Sequence, residues 1–243
     1  MKEYKMKKII PIICCLFLLL ANQVNYAREF TKETEYSVLK LDLQGVEKIN
    51  ENFYVAWVEP EPSMPQLRAR VLPENLEGTV KWNLTITYNR STRNDRDTFQ
   101  KQTPASEPWN ITTDFGSNFY GGTATLTWTY TDSKNNSLPE QTFKFYIRGK
   151  NASEATIKSY IGDSPWFAKA IGAHESGPAQ NGRLYCQFNE VGTLGPDNSN
   201  IKNHPNASSN NDGGYGIFQL TLFGNPTRRP NSNELWSWKA NVD

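Results

Sequence analysis

The feature that most constrains this chain is a period-two alternation that returns several times between residues 36 and 148. In "TVKWNLTITY" the residues Val80, Trp82, Leu84, Ile86 and Tyr88 fall on one side, with polar residues between them. "GGTATLTWTY" repeats the pattern with Ala124, Leu126, Trp128 and Tyr130, and "TFKFYIRG" repeats it with Phe143, Phe145 and Ile147. Successive side chains of a strand point to opposite faces, so each segment can bury one face of a sheet and must leave the other in water. Trp82, Leu84, Ile86, Leu126, Trp128, Phe143 and Phe145 are the predicted core of that sheet, because a one-residue slip in register would expose all of them.

Shorter strand candidates are "YSVLKLDLQG", "FYVAWV", "LRARVLP" and "WNITTDF". The breaks "EPEPSMP", "NRSTRNDRD" and "TDSKNNSLPE" have turn and loop compositions. About seven strands in roughly 110 residues predict an antiparallel β-sandwich of immunoglobulin-like type over residues 36–148. The label is architectural, since the chain lacks the cysteine pair of antibody domains.

The N-terminus sets the compartment. "MKEYKMKK" is a basic stretch and "IIPIICCLFLLLA" an apolar run too short for a comfortable membrane span. Together they predict a secretory leader over residues 1–27, cleaved after Ala27, with an uncleaved anchor as the alternative. The mature protein is then exported, periplasmic or extracellular, without a stable membrane span. Cleavage leaves Cys186 alone, so no internal disulfide can form and the fold must stand on its apolar core. A nucleophilic Cys186 would need a histidine partner, and neither His174 nor His204 has a cysteine-protease context. A small buried residue is the better reading. The formal net charge of +1 argues against a nucleic-acid partner, which calls for a basic excess.

Past residue 150 the alternation stops. Ser153 can cap a short helix ending near Gly162, and Ser164-Pro165 can start a second one ended by Gly177 and Pro178. Phe167, Ala170, Ile171 and His174 form its stripe. A long polar stretch follows, then "GGYGIFQLT" and "NELWSWKANVD", the latter read as another helix.

Glu175 is the candidate catalytic residue. The end of a helix carries the negative pole of the dipole, and Phe167, Ile171 and Phe218 are expected apolar neighbours. Both disfavour a charged carboxyl, as a general acid requires. "AHESG", "GYGIFQLT" and "WKANVD", in that order, resemble the lysozyme-like superfamily, specifically its soluble lytic transglycosylase group. The resemblance covers residues 153–243. It implies an α+β multidomain chain: an all-β immunoglobulin-like sandwich, then the mainly α-helical start of a lysozyme-like domain, incomplete at the C-terminus.

The resemblance also implies cleavage of the β-1,4 bond between N-acetylmuramic acid and N-acetylglucosamine in peptidoglycan. Glu175 would be the acid and then the base, and Ser176, Tyr215, Gly216, Ile217, Phe218, Gln219 and Asn241 would bind the glycan strand. No cofactor is implied. Such enzymes are taken to use one carboxylate, whereas most glycosidases use two. Glu190, Asp197 and Asp212 are the available second carboxylates for a hydrolytic outcome. No metal is expected, because Pro178 stands where a zinc-protease motif would need its second histidine. The competing reading is a non-catalytic envelope protein whose sandwich holds a partner. Without further helices to pack on, the last helix is expected to leave Trp236 and Trp238 partly exposed.

Overall fold

Strand pairing, more than strand composition, organises the molecule. The computed structural model describes residues 39–90, 93–163, 165–176, 182–195, 202–207, 214–220 and 230–243. The predicted leader lies outside the described residues, and so do Gly177, Pro178, Asp197 and Asp212. Among the described residues no helix is long and apolar enough to cross a membrane.

The strands are β1 (Lys40–Gln44), β2 (Glu47–Asn50), β3 (Phe53–Val58), β4 (Arg68–Leu72), β5 (Thr79–Arg90), β6 (Arg93–Pro104), β7 (Trp109–Asn110), β8 (Gly122–Thr131) and β9 (Gln141–Gly149). Strands β1, β4 and β7 form a three-stranded sheet, and the other six form a sheet in the order β2-β3-β9-β8-β5-β6. Its pairs are antiparallel except β3 with β9, which run parallel. The register sets Trp82 opposite Trp128, Leu84 opposite Leu126, and Ile86 opposite Ala124. Those residues share one face, and all but Trp128 are buried. Trp82 reaches Trp109 of the other sheet at 6.3 Å between ring centroids, and its indole N–H donates to Thr103 Oγ1 at 3.1 Å.

The predicted core holds for Trp82, Leu84, Ile86, Leu126 and Phe145, all buried. Trp128 and Phe143 are only half-buried. Both lie where β8 meets the beginning of β9, with Trp128 opposite Gln141. Two segments differ from the sequence expectation. "NRSTRNDRD" is not simply a loop, because β6 starts inside it and pairs with β5 along its whole length. "WNITTDF" is two strand residues followed by helix α1 (Ile111–Phe115), which buries Ile111 and Phe115.

The expected helical second domain is corrected by the structure. After the sandwich come α2 (Glu154–Ile161), α3 (Ala168–Glu175), α4 (Ser232–Trp236) and α5 (Trp238–Val242), two helices of eight residues and two of five. Among the described residues, those between α3 and α4 are irregular, joined by isolated bridges such as Phe188 with Pro205 and Tyr215 with Leu220. The molecule is thus mostly β. The cause is local: Tyr185, Asn203 and Gln219 hold positive φ, at 56°, 66° and 47°, which no helix accepts. Asn and Gln side chains bond the backbone there in place of helical hydrogen bonds.

The stripe of α3 is also reversed. Phe167 and Ile171 are 44% and 42% exposed, and Trp166 before them is 84% exposed. The buried side carries Gly172 and Ser176. A methyl at Gly172 would come within 3.2 Å of the Tyr185 ring and 3.4 Å of Ile217. Small residues therefore face inward, because Tyr185 and Ile217 already fill the space.

Trp236 and Trp238 are fully buried, against expectation, each at 1% exposure. Their cover is the sandwich and the tail's own core, not further helices. Trp236 lies on the backbone of Gly121 and edge-on to Tyr88. Trp238 donates its indole N–H to the Pro60 carbonyl at 2.6 Å and packs with Ile157, Ile161 and Ile217. Phe188 presses on Gly149 in the same manner.

Candidate functional site

Ser153 Oγ accepts the Thr156 amide and starts α2. Glu154, in its first turn, accepts the Leu184 amide at 2.9 Å and pairs with Lys158 at 3.4 Å. The backbone bond to Leu184, with help from Lys158 and Arg183, holds the Glu154 carboxyl below its ordinary range. This contact anchors the segment 182–189 that runs past the end of α3.

Ser176 is where that segment meets α3. Its buried hydroxyl donates to the Gly172 carbonyl and accepts the Tyr185 amide, both at 2.6 Å. The Ser176 carbonyl accepts from Asn206 Nδ2 at 3.4 Å. Asn206 in turn offers its own carbonyl to the Gly216 amide at 2.7 Å and to Gln219 Nε2 at 3.4 Å.

The loop 214–220 is clamped from its other side. Asn241 Oδ1 accepts the Phe218 amide at 3.0 Å, and Asn241 Nδ2 donates to the carbonyls of Tyr215 and Glu234, each at 3.1 Å. Gln187 accepts the Ile217 amide and donates to the carbonyls of Glu234 and Leu235. Gly216 has φ of 79°, and a side chain there would collide with the amides of both Asn241 and Gln187. One hydrogen-bonded knot thus joins the three motif segments, which are far apart in sequence.

The knot sorts the predicted site residues. Ser176, Tyr215, Gly216, Ile217 and Asn241 are buried. Tyr215 packs with Tyr88, Phe188 and Trp236, and Ile217 packs with Ile157, Tyr185 and Trp238. These five shape the loop and have no surface to offer a ligand. Glu175 is exposed, and Phe218 and Gln219 are half-exposed. Gln219 Oε1 is buried without a partner among the described residues, while Gln219 Nε2 donates to the Gly216 carbonyl at 2.7 Å. The apolar cover expected over Glu175 from Phe167 and Ile171 is missing, since both are themselves exposed.

The sequence matches no protein-family model and no curated protein.

Glu190, one of the candidate second carboxylates, is occupied: its Oε1 takes Arg183 at 2.8 Å and Asn151 Nδ2 at 2.6 Å. Cys186 is buried, and burial pushes its thiol up to about 12, with Glu190 adding to the shift. Among the described residues no cluster of His, Cys, Asp and Glu could hold a metal. His174 is exposed beside Glu175, and His204 is buried between Tyr88 and Trp236.

Sequence reasoning missed two residues that build the knot, Gln187 and Asn206, and also Asn151, whose amide holds Phe188 and Glu190. They stand in "LYCQFNE", "HPNAS" and "GKNAS", where they read as loop composition. Amides set between aromatic residues, as in "YCQF", are a usable signal, because a buried amide must find partners.

Proposed function

We propose that the chain is an exported protein acting on peptidoglycan, with Glu175 as the general acid that protonates the glycosidic oxygen and then serves as base. Support comes from a single observation: the segments containing Glu175-Ser176, Gly216–Gln219 and Asn241 are tied into one knot through Asn206, Gln187 and Asn241. The knot fixes the backbone next to Glu175 and leaves that side chain exposed, where a bound glycan can reach it. A glycan strand lying across α3 would cover the exposed carboxyl and strip water from it on binding.

The test is release of soluble fragments from purified peptidoglycan. Glu175→Gln keeps the shape and removes the transferable proton, so release should fall by about 10²–10⁴-fold, the usual value of general acid catalysis. Anhydromuramic ends in the product masses mark transglycosylation, and reducing ends mark hydrolysis. Equal release by wild type and the folded variant would sink the assignment.

The exposure of Glu175 favours a second reading, in which the protein binds the envelope without cleaving it. That reading expects both proteins to sediment with peptidoglycan and neither to release fragments.

A further inference from the structure

The outer face of β6, β5 and β8 has no cover among the described residues. The pairing sets Thr85 between Thr98 and Thr125, and Asn83 between Gln100 and Thr127. Thr87 stands beside Thr123, and Lys81 lies between Gln102 and Thr129. All of these side chains are exposed or half-exposed, and on β5, β6 and β8 this face contains no aromatic, Leu, Ile, Val or Met residue among the described side chains; the first aromatic is the buried Tyr146 of β9, beside Thr123. A shallow groove of about 450 Å³ crosses it, lined by Lys81, Asn83, Gln102, Thr127, Thr129 and Glu140 among others, and bordered by Trp82 and Lys101, whose positions alternate to the other face.

The charges on this face are unequal. Arg96 stands next to Thr87 on β6, and Lys144 stands opposite Thr125 on β9. With Lys81 they make three exposed cations that have no ion-pair partner among the described residues, against the single carboxylate of Glu140. The chain as a whole carries only +1, so the excess is local.

We infer that this face is a docking surface for a carboxylate-bearing polysaccharide. Hydroxyl and amide side chains both donate and accept, as the hydroxyl and acetamido groups of a sugar do. The ladder holds them on a rigid backbone, so little freedom is lost when they bond. The cations attract an anionic polymer from a distance and add little in close contact, which makes for weak, salt-sensitive, extended binding. A protein partner is disfavoured, because interface cores are rich in aromatic anchors and poor in lysine. Single-stranded nucleic acid would call for exposed aromatic platforms, and β5, β6 and β8 present none on this face among the described side chains.

Only the choice of probe rests on the proposed function, and the two fail separately. The full chain is sedimented with purified peptidoglycan, whose stem peptides supply carboxylates, and with amylose as a neutral control. Wild type should be retained by peptidoglycan, less so as salt is raised, and hardly at all by amylose. Replacing the three cations together (Lys81→Glu, Arg96→Glu, Lys144→Glu) should weaken retention roughly tenfold or more. Fragment release is read separately from retention, so a failure of docking and a failure of cleavage are distinguished. If the charge-reversed protein melts early, the same three positions changed to Gln decide the matter. Undiminished retention of the folded variant, equal retention on amylose, or competition by duplex DNA at matched charge would each overturn the assignment.

Discussion

The sandwich and the tail satisfy their backbones in different ways. In β5 every residue from Thr79 to Arg90 has a ladder partner on β6, so side chains are free to fill the core or face water. Among the described residues between α3 and α4 the backbone turns too often for a ladder, and Gln187, Asn206 and Asn241 bond its amides and carbonyls instead. The first arrangement draws stability from apolar volume. The second depends on a few buried amides, each holding several groups at once. Tolerance should differ accordingly: a ladder survives most outward-facing changes, whereas the knot has members that cannot be replaced by anything apolar.

The largest effect should come from the sandwich core. Leu84 is fully buried, and Leu84→Ala should cost about 2–5 kcal/mol in urea unfolding. Trp236 and Phe188 rest on the strands, so tail and sandwich should unfold in one transition. A tail that keeps its protection after the sandwich has melted would break the comparison.

Asn241→Ala should cost less, about 1–3 kcal/mol, by orphaning the Phe218 amide and the carbonyls of Tyr215 and Glu234. The effect should be graded. Hydrogen exchange should quicken most at residues 214–220 and less in β5 and β8, and uniform loosening would show that the knot has no opening of its own.

The smallest effect is a dependence on pH. Glu154 has a depressed carboxyl in the folded state, so its contribution is complete above the ordinary carboxylate range and is lost as pH falls through the folded value. The Leu184 amide should therefore exchange faster on acidification, beyond the intrinsic trend. Glu154→Gln should remove that acid-dependent part while leaving the sandwich amides unaffected, and an unchanged acid response would assign it to another group.

These contrasts explain which parts of the molecule were legible in the sequence. Alternation identified the buried face of β5 and β8, because each apolar residue there faces a core. It missed β6, where Asp95, Asp97 and Lys101 occupy the side that Phe99 shares, leaving almost no apolar period to detect. Strand β6 lies at the end of the sheet order and pairs with β5 alone, so little of it had to be apolar. In α3 the helical spacing of Phe167 and Ile171 was real, but which face turned inward depended on Tyr185 and Ile217 arriving from elsewhere. The structure ties the motif residues together through hydrogen bonds. Their division into buried supports and an exposed Glu175 was not legible in the sequence, because burial is decided by distant partners such as Trp236 and Trp238.

Gly121 and Gly149 turn this dependence into a rule of compatibility. At each, the space that a side chain would occupy is filled by an aromatic ring of the tail, Trp236 at one and Phe188 at the other. A sandwich of identical topology with alanine at either position could not seat this tail. Transplanting either half onto an unrelated counterpart should thus fail first at these two points, however well the rest of the surfaces match. Two absent methyl groups act as the address by which the halves of the molecule recognise each other.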